Sequence, residues 1–185
     1  MAAVLGCKPE EVERACAHAA AQSGRVVSPA NYNGPAQTVI SGDAVAVELA
    51  CSRARQEGAR RTVPLEVSAP FHCELMARAA EKLALELGSV RFRDPSAPVV
   101  TNVEADPCDE GARLMVLLER QVTAPVRFTE MVLRLSELGV ARVLEIGPGR
   151  VLTGLVARIA RNLERANLSS LAALDEVSSF AAAGR

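Results

Sequence analysis

One histidine of this chain occupies a position where a catalytic base could be held rigidly. His72 lies in the segment SAPFHCELM (residues 68–76), after an alternating stretch that predicts a strand and a break at Pro70. A helix-forming run follows, so rigid elements on both sides could fix the backbone while the imidazole faces a cleft. The other histidine, His18, lies within an alanine-rich helical run. From its surroundings alone, a helix-capping or half-buried structural role for His72 is the simpler interpretation, because most histidines are not catalytic.

Composition and charge exclude several classes of function. Basic and acidic residues are interspersed, the net charge is −1, and the chain has one tyrosine and no tryptophan. These features predict no nucleic-acid partner, because such binding needs clustered basic charge and stacking surfaces. No apolar stretch approaches the ~18 residues of a membrane span, so no membrane association is expected. The five cysteines have irregular spacing, which predicts neither a metal site nor a disulfide framework and favours a cytoplasmic protein. No cofactor is expected.

The hydrophobic pattern of residues 1–67 predicts the element order βαββαβ. Four strands are expected, at residues 2–5, 25–30, 38–40 and 62–67. The second and third strands are joined by a predicted turn at residues 31–35, and Pro64 predicts an edge position for the fourth. This order is typical of a ferredoxin-like fold, so residues 1–67 are expected to form a small ferredoxin-like subdomain.

From residue 68 onward the pattern changes to longer helices that alternate with short apolar strands. Apolar stripes at helical spacing alternate with strand-like segments at residues 99–100 and 143–146. Such alternation predicts an α/β domain with a parallel sheet covered by helices, over residues 68–162. Beyond it the stripe weakens, and the alanine- and serine-rich residues 163–185 are expected to be a flexible tail.

Several short segments carry a resemblance to a known family. Besides SAPFHCELM, the chain contains VSPANYNGPAQ at residues 27–37, PVVTNV at residues 98–103, QVTAPV at residues 121–126 and EIGPG at residues 145–149. In this order they resemble the motifs of the malonyl-CoA:acyl carrier protein transacylases, the acyltransferases of fatty acid and polyketide synthesis. Each motif is short, but their common order makes the resemblance specific.

The resemblance implies a fold, an activity and two partners. The family carries its ferredoxin-like subdomain beside an α/β-hydrolase-like catalytic domain, and residues 68–162 would be the C-terminal part of that domain. The implied activity transfers a malonyl group from CoA to the phosphopantetheine thiol of acyl carrier protein, through an acyl-enzyme on a serine. Malonyl-CoA and acyl carrier protein would therefore be the partners.

The resemblance also implies roles for four residues. His72 matches the catalytic base, and its orienting partner would be the backbone carbonyl of Gln121. Asn33 would face the acyl pocket, and Phe71 would narrow it, as in related acyltransferase domains that select malonyl over methylmalonyl groups. Structural alternatives stay open: a helix-end amide for Gln121, a turn residue for Asn33 and core packing for Phe71.

The nucleophile of the family has no counterpart in this sequence. The family presents its serine in a GHSxG segment, with an arginine for the malonyl carboxylate nearby, but these 185 residues contain no GxSxG. Residues 1–6 resemble an internal strand of the family, so the chain is expected to be the C-terminal portion of a transacylase. Two alternatives remain open. One is a serine hydrolase of the same architecture, and the other is a noncatalytic module that docks a carrier protein.

Overall fold

Four strands and two helices form the beginning of the chain. The structure is a computed structural model that describes residues 1–182, except for the side chains of residues 176 and 181. The chain divides into two units, Met1–Met131 and Val132–Arg185. The first elements are β1 (Ala2–Leu5), α1 (Pro9–Ser23), β2 (Val27–Gly34), β3 (Gln37–Gly42), α2 (Ala44–Gln56) and β4 (Arg61–Pro64).

The four strands form one antiparallel sheet with the order β2-β3-β1-β4. Side chains alternate across the sheet, so Val4 and Ile40 lie in the main core with α1 and α2, whereas Ala3 belongs to a smaller apolar cluster. Val12 on α1 is 1% exposed, because the helix places its apolar residues at helical spacing on one face. The edge position of β4 agrees with the presence of Pro64, which cannot donate to a neighbouring strand.

The second strand is longer than the sequence predicts, and the predicted turn at residues 31–35 is wrong over most of its length. β2 continues to Gly34, and the reversal falls at residues 35–36. Irregular register around residues 29–34 accommodates the proline and asparagines of this segment. A second partner also holds it, since the Tyr32 N–H donates to the carbonyl oxygen of Val126 at 2.9 Å. Tertiary pairing thus overrides the local turn propensity.

After β4 the first unit becomes mainly helical. A 3₁₀ helix at Glu74–Met76 leads into α3, and a two-stranded sheet precedes two further helices. The elements are α3 (Ala77–Gly88), β5 (Val99–Val100), β6 (Pro107–Cys108), α4 (Gly111–Arg120) and α5 (Phe128–Glu137). Helix α5 begins in the first unit and ends in the second. β5 and β6 are antiparallel rather than part of the predicted parallel sheet. The six-residue connection between them is too short for a parallel crossover, which needs a dozen or more residues.

The second unit contains the parallel pair. Its later elements are β7 (Arg142–Ile146), α6 (Val151–Ile159), β8 (Glu164–Leu168), a 3₁₀ helix at Leu171–Ala173 and α7 (Leu174–Ala182). β7 and β8 pair in parallel, with α6 as the connection. Residues 164–182 are therefore strand and helix rather than the expected flexible tail, because pairing with β7 and burial of Leu163 and Val177 stabilise them. Residues 183–185 of the predicted tail lie outside the described residues.

Each unit leaves apolar side chains exposed. In the first unit Leu85 is 79% exposed and Val99 is 42% exposed, and in the second unit Ile146 is 74% exposed. Exposed apolar side chains that stand singly are common on protein surfaces. None of the helices in residues 1–182 has the length and apolar character that crossing a membrane would require.

Candidate active site

The backbone at His72 has an unusual conformation that its neighbours hold in place. His72 has φ 60°, in the left-handed region that residues other than glycine seldom adopt. The next residue, Cys73, is 1% exposed, and its thiol donates to the carbonyl oxygen of Pro70 at 3.1 Å. The 3₁₀ helix then begins with a hydrogen bond from the Met76 N–H to the Cys73 carbonyl. Such strain costs about 1–3 kcal/mol and recurs at active sites.

The imidazole of His72 is half-buried and contacts a single backbone carbonyl. Its Nδ1 lies 2.7 Å from the carbonyl oxygen of Gln121. A carbonyl oxygen can only accept, so in the neutral ring Nδ1 carries the hydrogen and Nε2 carries the lone pair. Within residues 1–182, Nε2 has no hydrogen-bond partner of its own. The arrangement therefore presents a proton acceptor at Nε2, which is what a general base requires.

Gln121 is the first residue after α4, and contacts on several sides hold it. Its N–H donates to the Leu117 carbonyl at 3.1 Å in the helical pattern. Its side-chain Oε1 accepts from Nδ2 of Asn102 at 2.7 Å. Five residues further on, the Val126 N–H donates to the carbonyl of Ala30 on β2 at 2.8 Å. The carbonyl opposite His72 thus belongs to a segment fixed at both ends.

Sequence reasoning missed Asn102 as a site residue. The sequence contained one signal for it, an asparagine in PVVTNV two residues after the end of the apolar strand β5. Its contact to Gln121 joins positions 19 residues apart, which no local pattern can indicate.

The other two predicted site residues, Asn33 and Phe71, make no hydrogen bond to His72 or Gln121 in the described part of the chain. Asn33 is half-buried on β2, and its side chain makes no hydrogen bond within the part of the chain that the structure describes. Phe71 directly precedes His72, and its ring is 40% exposed, so it does not pack in the core. The structure therefore brings His72 and Gln121 into contact, whereas Asn33 and Phe71 have no recorded polar contact with them.

A small cavity of about 150 Å³ lies beside Gln121. Its lining is apolar apart from three residues, and it consists of Val99, Val100, Thr101, Asn102, Leu114, Leu117, Leu118 and Gln121. Pockets for drug-sized ligands have ~300–1,000 Å³, so this cavity by itself does not accommodate an acyl-CoA.

Two of the five cysteines can be excluded as nucleophiles by their pKa values. All five cysteines are free and buried. Burial, together with hydrogen bonding to Glu11, raises the pKa of the Cys7 thiol to about 11, and burial raises the pKa of the Cys16 thiol to about 12. Because the thiolate is the nucleophile, these two thiols are unreactive near neutral pH. Among residues 1–182, no group of three or more histidine, cysteine or carboxylate side chains could hold a metal ion.

Comparison with known proteins identifies the family of this chain. The chain belongs to the acyl transferase domain family, whose pattern matches residues 4–183. The malonyl CoA-acyl carrier protein transacylase of Escherichia coli (strain K12) is 43% identical over 183 residues, which are 99% of this chain and 57% of the relative. That of Bacillus subtilis (strain 168) is 45% identical over 164 residues, 89% of this chain and 51% of the relative.

Solved structures show the same likeness. An acyl carrier protein S-malonyltransferase from Vibrio cholerae matches with a TM-score of 0.91 and 43% identity, over 95% of this chain and 57% of its own. A malonyl-transacylase in complex with a type II polyketide synthase acyl-carrier protein matches with a TM-score of 0.90 and 44% identity, over 94% of this chain and 56% of its own. The chain thus spans somewhat more than half the length of the relatives it matches.

Proposed function

We propose that this chain supplies the general base of a malonyl-CoA:acyl carrier protein transacylase. The observation that carries the proposal is the 2.7 Å contact between Nδ1 of His72 and the Gln121 carbonyl oxygen. This contact fixes the tautomer whose Nε2 can take a proton. The relatives named malonyl CoA-acyl carrier protein transacylase support the choice of acyl group and acceptor.

The proposed reaction has two half-reactions that share one base. The serine of the family has no counterpart in these 185 residues, so it must come from polypeptide outside them. His72 Nε2 takes the proton of the serine hydroxyl while Oγ attacks the thioester carbonyl carbon of malonyl-CoA. The tetrahedral intermediate then breaks its C–S bond, the CoA sulfur takes the proton from Nε2, and a malonyl-serine ester remains.

In the second half-reaction the carrier's phosphopantetheine thiol replaces CoA. His72 Nε2 takes the thiol proton, and the sulfur attacks the ester carbonyl carbon. The C–O bond to serine breaks, and Oγ regains the proton from Nε2. Acyl carrier protein as the acceptor is supported by the relative whose structure contains a bound carrier protein. We propose that Asn33 and Phe71 border the acyl group, a placement that rests on the motif match.

The proposal extends to domain organisation and location. Residues 1–67 are proposed to form a ferredoxin-like subdomain, which the strand order β2-β3-β1-β4 supports. Residues 68–162 are proposed to be the C-terminal part of an α/β-hydrolase-like catalytic domain. A cytoplasmic location is proposed because the cysteines are free.

A second candidate function is a noncatalytic module that docks a carrier protein. The absence of GxSxG favours it, because a base without a nucleophile cannot form an acyl-enzyme. The transacylase and the docking module predict different results when the missing segment is supplied. A transferase results only if His72 lies in a competent active site.

The test is a fusion protein in which the part of the Escherichia coli relative that this chain does not match precedes residue 1. Transfer of radiolabelled malonyl from CoA to acyl carrier protein is expected for this fusion. His72→Ala should lower the rate by roughly 10²–10⁴-fold, the usual contribution of a positioned base. His18→Ala, which removes the exposed second histidine, is the matched control and should leave the rate unchanged.

Three outcomes decide against the proposal. A loss below tenfold in His72→Ala would remove this histidine from the mechanism. Release of free malonate without transfer to the carrier would identify a hydrolase. A folded fusion that binds carrier protein but transfers nothing would favour the docking module.

A further inference from the structure

We propose that Asn102 is a positioning residue that holds the Gln121 carbonyl against His72, an inference that rests on the proposed role of His72 as base. The carbonyl lies at the start of the connection between α4 and α5, residues 121–127. Gln121 keeps helical backbone angles, but its carbonyl has no helical donor, so its direction also depends on how that connection is fixed.

Asn102 contacts both ends of this connection. Its side-chain Nδ2 donates to Oε1 of Gln121 at 2.7 Å. Its backbone carbonyl accepts from the N–H of Arg127 at 3.0 Å. One residue thus bridges the first and last positions of the segment that carries the carbonyl, while Val126 pairs with β2 between them.

Asn102 is itself held in place on two sides. Two residues further on, the Glu104 carboxylate accepts from Arg113 on α4 at 2.8 Å and from Arg120, at the end of the same helix, at 3.0 Å. The guanidinium of Arg127 donates to the carbonyls of Val103 and Glu104 at 3.4 and 3.2 Å. The loop that carries Asn102 is therefore tied to α4 and to the far end of the connection, and it can act as a fixed support.

This support has a chemical consequence at the imidazole. If the Asn102 amide is removed, the Gln121 side chain loses its donor and the carbonyl is less strictly aimed at Nδ1. The hydrogen can then move to Nε2 by tautomer exchange, and an Nε2–H ring cannot accept the nucleophile's proton. Asn102 would thus act on the reaction only through Gln121 and His72, without touching substrate.

The test uses nitrogen chemical shifts of the imidazole in the full 185-residue chain. There are two histidines, so His18→Ala identifies the signals of His72. The ratio of the Nδ1–H to the Nε2–H tautomer should fall roughly fivefold in Asn102→Ala, about the worth of one ordinary hydrogen bond. Asn102→Asp should retain the native ratio, because the Gln121 amide can rotate and donate to the carboxylate.

A matched control and a second variant keep the test decisive. Asn162→Ala removes another side-chain amide, which donates to the hydroxyl of Ser136, and should leave His72 unchanged. Gln121→Ala removes the acceptor but keeps the backbone carbonyl, so it should lower the ratio as Asn102→Ala does. The double variant, Asn102→Ala with Gln121→Ala, should lower the ratio no further than either single variant, since each substitution removes the same hydrogen bond.

An unchanged tautomer ratio in a folded Asn102→Ala or Gln121→Ala chain would overturn the proposal. Equal shifts in Asn102→Ala and Asn162→Ala would do the same, because they would show a general loss of structure. If Asn102→Ala fails to fold, Gln121→Ala decides. The measurement needs no catalytic activity, so an inactive fusion protein would count against the proposed function and leave this result standing.

Discussion

Pro125 lies four residues after Gln121, and this spacing leaves the Gln121 carbonyl oxygen without a helical donor. The preceding residue, Ala124, still donates its N–H to the Arg120 carbonyl at 3.1 Å in the helical pattern. In the same pattern the N–H of residue 125 would donate to Gln121, but proline has none. Nδ1 of His72 takes that position instead, at 2.7 Å.

Replacing this proline should therefore weaken the site. Pro125→Ala restores a backbone N–H that competes with His72 for the Gln121 carbonyl. We expect malonyl transfer by the fusion protein to fall roughly tenfold, about the effect of losing one hydrogen bond near a reacting group. Pro95→Ala, in the connection between α3 and β5, is the control and should have no effect. An unchanged rate in Pro125→Ala would show that the proline does not keep the carbonyl free.

The backbone strain at His72 predicts an unusual order of stabilities. His72→Gly should unfold at a higher urea concentration than His72→Ala, because glycine adopts φ 60° without the Cβ clash. The expected difference is about 1 kcal/mol in the free energy of unfolding. At most other positions of a protein, the glycine variant is less stable than the alanine variant. Equal stabilities, or a more stable alanine variant, would mean that the surrounding structure relaxes the strain.

The parts of the fold that local patterns predict are those whose causes are local. The first helix follows from the spacing of its apolar residues and from Pro9 in its first turn, and both signals lie within the helix. The extension of β2 to Gly34 could not be predicted in this way, because it combines an irregular pairing with β3 and a bridge to Val126 much later in the chain. Likewise, β8 is stabilised by its parallel partner β7.

At the site, too, local patterns cannot predict contacts between residues that are far apart in the sequence. The surroundings of His72 alone favour a structural role, and the resemblance of SAPFHCELM to a family motif is what indicates a base. Its contact with Gln121 joins residues 49 positions apart, and only the motif match indicated that contact. Asn102 lies inside the PVVTNV motif, but its proposed role depends on three-dimensional contacts with both ends of the connection between α4 and α5.

The second unit should lose stability in acid through Glu145. Its carboxylate accepts from the N–H groups of Leu152 and Thr153 at 3.1 and 2.8 Å, in the first turn of α6. Hydrogen bonds from the side chain and backbone of Thr153 hold the pKa of Glu145 below its ordinary value of 4.5. Because the folded-state pKa is lowered, the stabilisation is present above that ordinary value and is lost as the pH falls through the folded-state pKa.

Hydrogen exchange of the α6 amides at neutral pH and below pH 4.5 tests this. The native chain should lose protection in α6 as the pH falls, after correction for the intrinsic exchange rate. In Glu145→Gln the α6 amides should be less protected at neutral pH, and their protection should depend less on pH. Glu137→Gln removes a surface carboxylate that accepts a hydrogen bond from Arg134, and it should keep the native pH dependence. A Glu145→Gln profile parallel to the native one would contradict the assignment.

The chain by itself should not become acylated. His72 has no serine elbow to activate in these residues, and burial keeps the pKa of Cys16 at about 12, so that thiol is not an alternative nucleophile at neutral pH. Incubation with malonyl-CoA, followed by intact mass measurement, should show the unmodified mass. The fusion protein, treated in parallel, should gain one malonyl group. Iodoacetamide should modify the cysteines of the isolated chain far faster in denaturant than under native conditions, as their burial requires. A stable malonyl adduct on the isolated chain would mean that it contains a nucleophile of its own, and His72 would then act on a partner within these residues.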